Sequence, residues 1–480
     1  MTDALRYPYR FERTARVGDV VARYEGLATG AETGDSVLVA GRVRTQRAHG
    51  KVAFADLEDA SGRIQLFAEA GALGDAGMER FVGVGVGDIV GVAGEVVTTR
   101  RGELSIKVAD ITVLAPCLRP MPDSFHGLSD VEARHRNRHL DLLVNREASR
   151  PLRARAEANA TARSFLGARG FVEVETPLLH PVAGGAVARP FVTHHNALDV
   201  DLYLRIAPEL YLKRLLVGGA EKVFELDRSF RNEGISARHN PEYTMLEAYE
   251  AYVDYNDTMS LVESLVRAIA GAVNDGLRVE GPDGDVDFEP PFARLTMFEA
   301  IAKASGHDLE PAWASRDAGE IRAHADELGV RVDPSWTSGK IVAEVFERVA
   351  EHTLVQPTFV TGFPKDVSPL AKDHRSIAGF TEHADLVIRG IEMCATYSEL
   401  NDPEEQRRRF GAQAAARAAG DPEATLPDEN FLDALAYGMP PAGGFGLGMD
   451  RLLMVVLGVA SIRETILFPT LRPEARPATE

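Results

Sequence analysis

Between Phe230 and Glu247 the chain reads "FRNEGISARHNPEYTMLE". Arginines, carboxylates, a histidine and asparagines crowd a segment set between the apolar runs "EKVFELDRSF" and "YTMLEAYEAYVDY". Taken singly, each charge is a solvated loop residue or half of a surface ion pair. Taken together, they suit a ligand that carries both phosphates and cationic groups, because arginine offers planar, bidentate donors to anions and carboxylates answer cations. Two other stretches share this density of polar groups and glycine: "GFVEVETPLLHPVAGGA" upstream and "GGFGLGMDRLLM" downstream.

The elements that must position these residues follow from patterning. Residues 36–116 hold five short apolar-rich runs separated by Gly and Asp, the spacing of a small closed barrel such as an OB-fold. "GVGVGD" at 83–88 is read as a turn, since a glycine cluster alone is a weak nucleotide-loop signal. Residues 119–145, proline-bearing and then charged, read as a linker. From 151 a Pro-initiated helical pattern leads to "FVEVETP", which alternates as a strand and stops at Pro177. Beyond it strands and helices do not alternate regularly, so an α+β domain on an antiparallel sheet flanked by helices is expected, not a doubly wound one. The expected organisation is an N-terminal barrel domain with a short extension over 1–118, a linker over 119–145, a second domain over 146–473, and a disordered tail over 474–480. No internal repeat is visible.

Composition narrows the function classes. The chain has 480 residues and a formal net charge of −19, which argues against broad non-specific nucleic-acid binding and leaves room for a specific site. No apolar run is long enough for a membrane span, and the N-terminus has no apolar signal region. Cys117 and Cys394 are too few for a disulfide framework or a four-ligand zinc site, and a reducing cytoplasm is expected. "HH" at 194–195 is read as structural.

In their order and spacing, the three dense stretches resemble motifs 1, 2 and 3 of the class II aminoacyl-tRNA synthetases. The stretches "YLRIAPELYLKRLLVGG", "QPTFVTGFPKDVSPLAK", "YSELNDPEEQ" and "IRETILFPTLRP" look like the lysyl members, as do "GKVAFADLEDASGRIQLF", "GELSIKV" and "FHGLSDVEARHRNRHLDL". The resemblance spans about residues 36–473. It implies an enzyme that joins lysine to ATP as an adenylate and then to the 3′ end of lysine tRNA. Such chemistry needs positioning and charge stabilisation, not a protein nucleophile, and no Ser–His–Asp or Cys–His set is evident.

By the same resemblance, Arg231 holds the α-phosphate and the amino-acid carboxylate, Glu233 accepts from the adenine amino group, and Arg238, His239 and Asn240 face the triphosphate. Tyr243 stacks on adenine, and Arg451 grips the γ-phosphate. Asp385 and Glu392 match magnesium ligands, Asp385 standing where the family usually has Glu. Glu247, Tyr249 and Glu399 surround the lysine ε-ammonium, with Tyr397 beside them. Glu209 and the backbone of Gly185 meet the α-amino group. An aspartyl enzyme would need cations where this chain has Glu247 and Glu399. Phe54, Gln65 and Glu103 match residues that engage the anticodon, Phe54 by stacking, with burial in the barrel core as its competing reading. The first motif implies a homodimer. The barrel separates the chain from elongation-factor-modifying relatives, which lack it.

Three departures stand out. Ala395 replaces an Asn that hydrogen-bonds the amino-acid head group, a loss of roughly 1–3 kcal/mol where nothing replaces it; Thr396 or a water is a candidate replacement. "IRGIE" differs from the usual run before Glu392. Little precedes "YPYRFERT", which predicts a weaker grip on tRNA. These departures keep two alternatives open: an enzyme activating a lysine analogue, and a catalytically weak RNA- or adenylate-binding regulator.

Overall fold

The computed structural model describes residues 7–122, 128–186, 188–418 and 426–474. The chain divides into two compact units, 1–129 and 130–480. Most of the expected tail lies outside the described residues.

In the first unit β1 (Glu32–His49), β2 (Val52–Glu58), β3 (Arg63–Glu69), β4 (Ile89–Thr98) and β5 (Leu104–Ala115) close into a barrel in the order β1-β2-β3-β5-β4. Alternation sends Ala53, Ala55 and Leu57 of β2 and Ile64, Leu66 and Ala68 of β3 inward, where they join one apolar core. Phe54 therefore lies on the outer face, paired across the strands with Phe67. Residues 83–88 form the expected turn, closed by the Gly85 N–H donating to the Asp88 carboxylate at 2.8 Å.

The second unit starts inside the segment expected as a linker. Helices Val131–Arg136 and Arg138–Val144 form there, the first capped by Asp130, which accepts from the Ala133 N–H. Arg138 is buried, paired with Asp141 at 2.7 Å and donating to the Leu467 carbonyl. The charges that gave this stretch a linker's composition thus dock it onto the unit.

An eight-stranded sheet organises the rest. Its strands are β6 (Val172–Glu173), β10 (Lys222–Phe230), β11 (Glu242–Ala251), β14 (Ala293–Thr296), β15 (Thr358–Thr361), β16 (His383–Ile388), β17 (Ile391–Ser398) and β18 (Ala442–Gly448). The order is β14-β15-β16-β17-β18-β11-β10-β6. Only the outermost pairs, β14 with β15 and β10 with β6, run parallel; the middle is antiparallel. Strands β7 (Leu179–His180), β8 (Val192–His195) and β9 (Val200–Leu204) form a side sheet, and β12 (Arg278–Val279) with β13 (Val286–Asp287) a small ladder.

The period of two assigns the faces of the large sheet. Phe224, Leu226, Leu246, Ala248, Ala384, Leu386, Cys394, Phe445 and Leu447 all enter one core with the helices Arg150–Gly167, Tyr255–Val273 and Met449–Val456. Residues of opposite parity face the other way, including Glu247, Tyr249, Asp385, Ala395 and Tyr397. A slip of one residue would put Glu247 into that core and Leu246 onto the open face, so burial fixes the register.

Candidate active site

Cross-strand pairing lays the open face out in rows. Asp385, Ala395, Gly446, Glu247 and Glu225 are successive partners across β16, β17, β18, β11 and β10. The next row runs His383, Tyr397, Gly444, Tyr249, Val223. Glycine occupies both rows on β18 for a steric reason. A Cβ at Gly444 would stand 2.2 Å from Glu399 Oε1 and 2.5 Å from the Tyr249 ring. The alternating glycines of "GGFGLG" make the floor of a pocket while Phe445 and Leu447 anchor the strand beneath.

Three carboxylates meet around that floor. Glu209 opens the helix Glu209–Val217, Glu247 lies on β11, and Glu399 follows β17. Glu247 accepts from the Tyr249 hydroxyl at 3.0 Å. Its pKa is pushed up to about 8, by burial first and then by the charge of Glu209. Burial also raises Glu399, against the pull of Lys213, and its Oε1 meets no protein donor. Gly185 has φ 89°, and a Cβ there would touch Ala207 and Glu209, which places its backbone beside the Glu209 carboxylate stem.

Lys213, which sequence reasoning passed over, is the counter-ion of this group. It is 0% exposed, with Nζ 2.6 Å from Glu209 Oε1 and 2.5 Å from Glu399 Oε2. Its spacing of four from Glu209 on one helix face was the available signal.

Beside the pocket opens a cleft with about 720 Å³ of empty space, open solvent included. Arg231, Glu233, Arg238, His239, Asn240, Tyr243, Glu392 and Arg451 all line it. The Arg231 guanidinium lies over the Tyr243 ring, 5.4 Å from its centroid. Arg231 Nε and the Tyr243 hydroxyl are buried without a protein partner, so the cleft presents unanswered donors. Arg238 donates to the Gly390 carbonyl at 2.9 Å. Arg451 Nη2 lies 3.2 Å from His239 Nε2, whose ring burial and Arg451 hold below its usual pKa. Neutral His239 thus accepts from Arg451, leaving Nδ1 to donate to Ser236 Oγ at 2.8 Å. Asn240 is committed to backbone: Nδ2 donates to the Glu242 carbonyl at 2.5 Å and Oδ1 accepts from Thr470 N–H at 3.2 Å. It shapes the loop from the protein side.

Buried ion pairs hold these parts in place. Arg155 pairs with Asp450, and Asp450 Oδ2 accepts from the Thr244 N–H at 2.7 Å, tying the Arg451 helix to β11. Arg205 donates to Glu225 at 2.6 Å, and Glu225 also accepts from the Thr176 N–H and hydroxyl, tying the segment before Pro177 to β10.

Next to Glu392 on the cleft wall stand two further carboxylates that feel its charge, Asp385 and Glu351. Asp385 Oδ1 is held by His383 Nε2 at 2.8 Å, and the Glu392 carboxylate lies 3.6 Å from Arg451. Burial raises the Asp385 pKa, and Glu392 raises it further. Glu351, also missed in the sequence, is pushed up to about 7 by burial and by Glu392, Glu347 and Asp385. A group of carboxylates in which the charge of Glu392 raises both Asp385 and Glu351 fits a hard cation such as Mg²⁺.

Two expectations need correction. Thr396 cannot replace the amide missing at Ala395: it is buried on the helix side of the sheet and donates to the Ala384 carbonyl at 2.9 Å. A Ser–His–Asp chain does exist, because Ser368 Oγ lies 2.8 Å from His383 Nδ1. Ser368 and His383 are both buried, and the ring is stacked on Phe363. The chain orients Asp385 and presents no nucleophile.

On the barrel, Phe54 stacks on Phe67 at 5.3 Å, with the Arg47 guanidinium over its ring. Gln65 shares that outer face and accepts from Ser105 Oγ at 3.0 Å, while Ser105 Oγ also lies 3.2 Å from the carbonyl of exposed Glu103. His194 and His195 lie exposed on β8, His194 against Asp201 at 2.9 Å.

A closed five-stranded barrel joined to an antiparallel sheet, with arginines and carboxylates sharing one open face, defines a class. Residues 130–472 match the family of class II tRNA synthetases (D, K and N), and residues 37–114 match the OB-fold nucleic acid binding domain. The chain belongs to the class II tRNA synthetases. Within that class it is 53% identical to the lysine–tRNA ligase of Moorella thermoacetica, over 97% of this chain and 93% of the relative. It is 47% identical to that of Syntrophomonas wolfei and 48% identical to that of Xanthomonas oryzae, each over 98% of this chain and 94% of the relative.

Proposed function

We propose that the chain is an ATP-dependent lysine–tRNA ligase. It forms lysyl-adenylate and transfers the lysyl group to the 3′ end of lysine tRNA. The observation that carries the reading is the buried trio Glu209, Glu247 and Glu399 beside an arginine-lined cleft in which Arg231 Nε and the Tyr243 hydroxyl have no protein partner. A dication with one carboxylate complements that pocket, and a triphosphate complements the cleft. The named relatives, matched over nearly the full length, support the same substrate.

In the first step a lysine carboxylate oxygen attacks the α-phosphorus in line, and the bond to pyrophosphate breaks. Arg231 lies where it meets both anions and lowers their repulsion; Arg238, His239 and Arg451 take the β- and γ-phosphates. Tyr243 and Glu233 hold adenine, one by its face and one by its amino group. Glu247, Tyr249 and Glu399 receive the ε-ammonium, Tyr397 walls the pocket, and Glu209 with the Gly185 backbone receives the α-ammonium. Asp385 and Glu392 would hold Mg²⁺, which supplies charge neutralisation on the phosphates. In the second step the terminal ribose hydroxyl of tRNA attacks the adenylate carbonyl and AMP leaves.

Phe54, Gln65 and Glu103 form the anticodon-reading face of the barrel. Homodimerisation is supported by apolar side chains left exposed around the first motif: Val172, Leu178, Leu179 and Val192. Leu179→Asp should yield monomers by light scattering where the parent is dimeric; identical masses would remove this surface from consideration. Among the described residues no helix is long and apolar enough to cross a membrane, and a cytoplasmic enzyme fits that and the two unpaired cysteines.

Amino-acid-dependent pyrophosphate exchange with ATP and magnesium tests the reading, over the common amino acids plus ornithine, β-lysine and hydroxylysine. Exchange with lysine far above the others is expected. Exchange led by an analogue, or none at all, overturns it.

A further inference from the structure

Outside the cleft, the described residues contain one cluster of three metal-ligating side chains whose donor atoms all lie within 4.8 Å of one another: His307, His324 and Glu327. We propose that these residues form a second metal site, specific for a divalent transition ion of the zinc type, which staples two segments of the helical module between β14 and β15.

The geometry matches one ion. His307 Nδ1 lies 3.5 Å from His324 Nδ1 and 3.6 Å from Glu327 Oε2. A tetrahedral ion with bonds of about 2.0–2.1 Å holds its ligand atoms about 3.3–3.4 Å apart. The pair of imidazoles is therefore nearly at the spacing of two ligands on a shared zinc. The remaining edge closes through Glu327, whose side chain is 64% exposed and has room to turn. Three protein ligands leave a fourth position for water. Without an ion the arrangement is poor: two Nδ1 atoms at 3.5 Å are beyond a good hydrogen bond, and their rings stand edge to face.

The scaffold is also built before any ion arrives. Helix Met297–Ser305 ends on Gly306 at φ 79°, and the His307 N–H donates to Ser305 Oγ at 3.1 Å. His324 and Glu327 lie three apart on helix Ala318–Glu327, on one face. Ile301, Leu309, Ile321 and Ala325, from both segments, share one buried core directly beneath. Imidazole and carboxylate together select zinc, cobalt or nickel over magnesium. The scarcity of cysteine excludes a thiolate zinc site, and it has no bearing on this one.

The test uses full-length protein stripped with chelator and held in excess Mg²⁺, titrated with Co²⁺. One equivalent with the intense visible absorption of four-coordinate cobalt is expected, displaced by Zn²⁺. His307→Gln and His324→Gln should each weaken that binding by at least about tenfold. Zn²⁺ should raise the thermal midpoint of the parent and of neither variant. Both variants should keep lysine-dependent pyrophosphate exchange, so failure here is separable from failure of the ligase reading. Cobalt spectra and affinities unchanged in both variants would overturn the site, as would a stripped parent that binds no Co²⁺ with this absorption.

Discussion

Lys213 decides how the pocket behaves without substrate. Three buried carboxylates with no cation would repel one another and protonate. Its ammonium, between Glu209 and Glu399, keeps that region charged and shaped for a second ammonium. Lys213→Met should cost roughly 3–5 kcal/mol of stability, because it strands buried carboxylates. Saturating lysine should restore more of the thermal midpoint in this variant than it adds to the parent, since the substrate then supplies the missing cation. Equal shifts in the two proteins would show that Lys213 is only packing. Glu247 gives a second residue-scale prediction. With its pKa near 8 in the free protein, it is mostly protonated at neutral pH. Ionisation grows as pH rises through that value, so the KM for lysine should fall over this range while the KM for ATP stays nearly flat. Glu247→Gln should flatten the lysine profile; an unchanged slope would assign the titration elsewhere.

At the scale of elements, the site is a consequence of strand parity. Every side chain proposed for lysine that lies on β11 or β17 has odd numbering, while Leu246 and Ala248 of β11 and Cys394 of β17, even-numbered, enter the core; the alternation on β17 holds only past the irregularity near its start, where Ile391 and Met393 are also in the core. That much was legible in the sequence, in the alternation of "YTMLEAY" and "GGFGLG". What could not be read was which strands are neighbours. Thr396 was a plausible substitute for the amide lost at Ala395 until the pairing of β16 with β17 turned it into the opposite core. Lys213 was hidden because its partner Glu399 is 186 residues away in sequence (399 minus 213). The His383 that steadies Asp385 is visible only once the strand is built. The glycines of β18 test the element directly. Gly444→Ala should raise the KM for lysine at least about tenfold, because its Cβ overlaps Glu399 and Tyr249, with overpacking of roughly 1–3 kcal/mol. Fluorescence titration with ATP should be little changed, since the added Cβ points at Glu399 and Tyr249 and Gly444 does not line the cleft. A uniform loss of both ligands would mean that the strand, not the pocket, had moved.

At the scale of the whole molecule, the reaction divides as the chain does. Every residue proposed for adenylate formation lies in the unit 130–480, while recognition of a tRNA anticodon is assigned to the barrel of the unit 1–129. The sequence left Phe54 between core and surface; the closed barrel resolves it, because its neighbours Ala53 and Ala55 fill the interior. Phe54 lies half-buried on the outer face beside Phe67 and Arg47, an aromatic and cationic patch suited to stacking a base, worth roughly 1–3 kcal/mol per base. Phe54→Ala should therefore raise the KM for tRNA about 5- to 150-fold in aminoacylation. Lysine-dependent pyrophosphate exchange, which uses no tRNA, should be unchanged, and so should the thermal midpoint of the barrel to within a few degrees, since the ring is not part of its core. The net charge of −19 sharpens the expectation, because an acidic protein has little general attraction for RNA to mask the loss of one specific contact. If aminoacylation and exchange fall together, Phe54 acts through folding. If neither falls, the anticodon is read on another face of the barrel, and Gln65 and Glu103 lose their assignment with it.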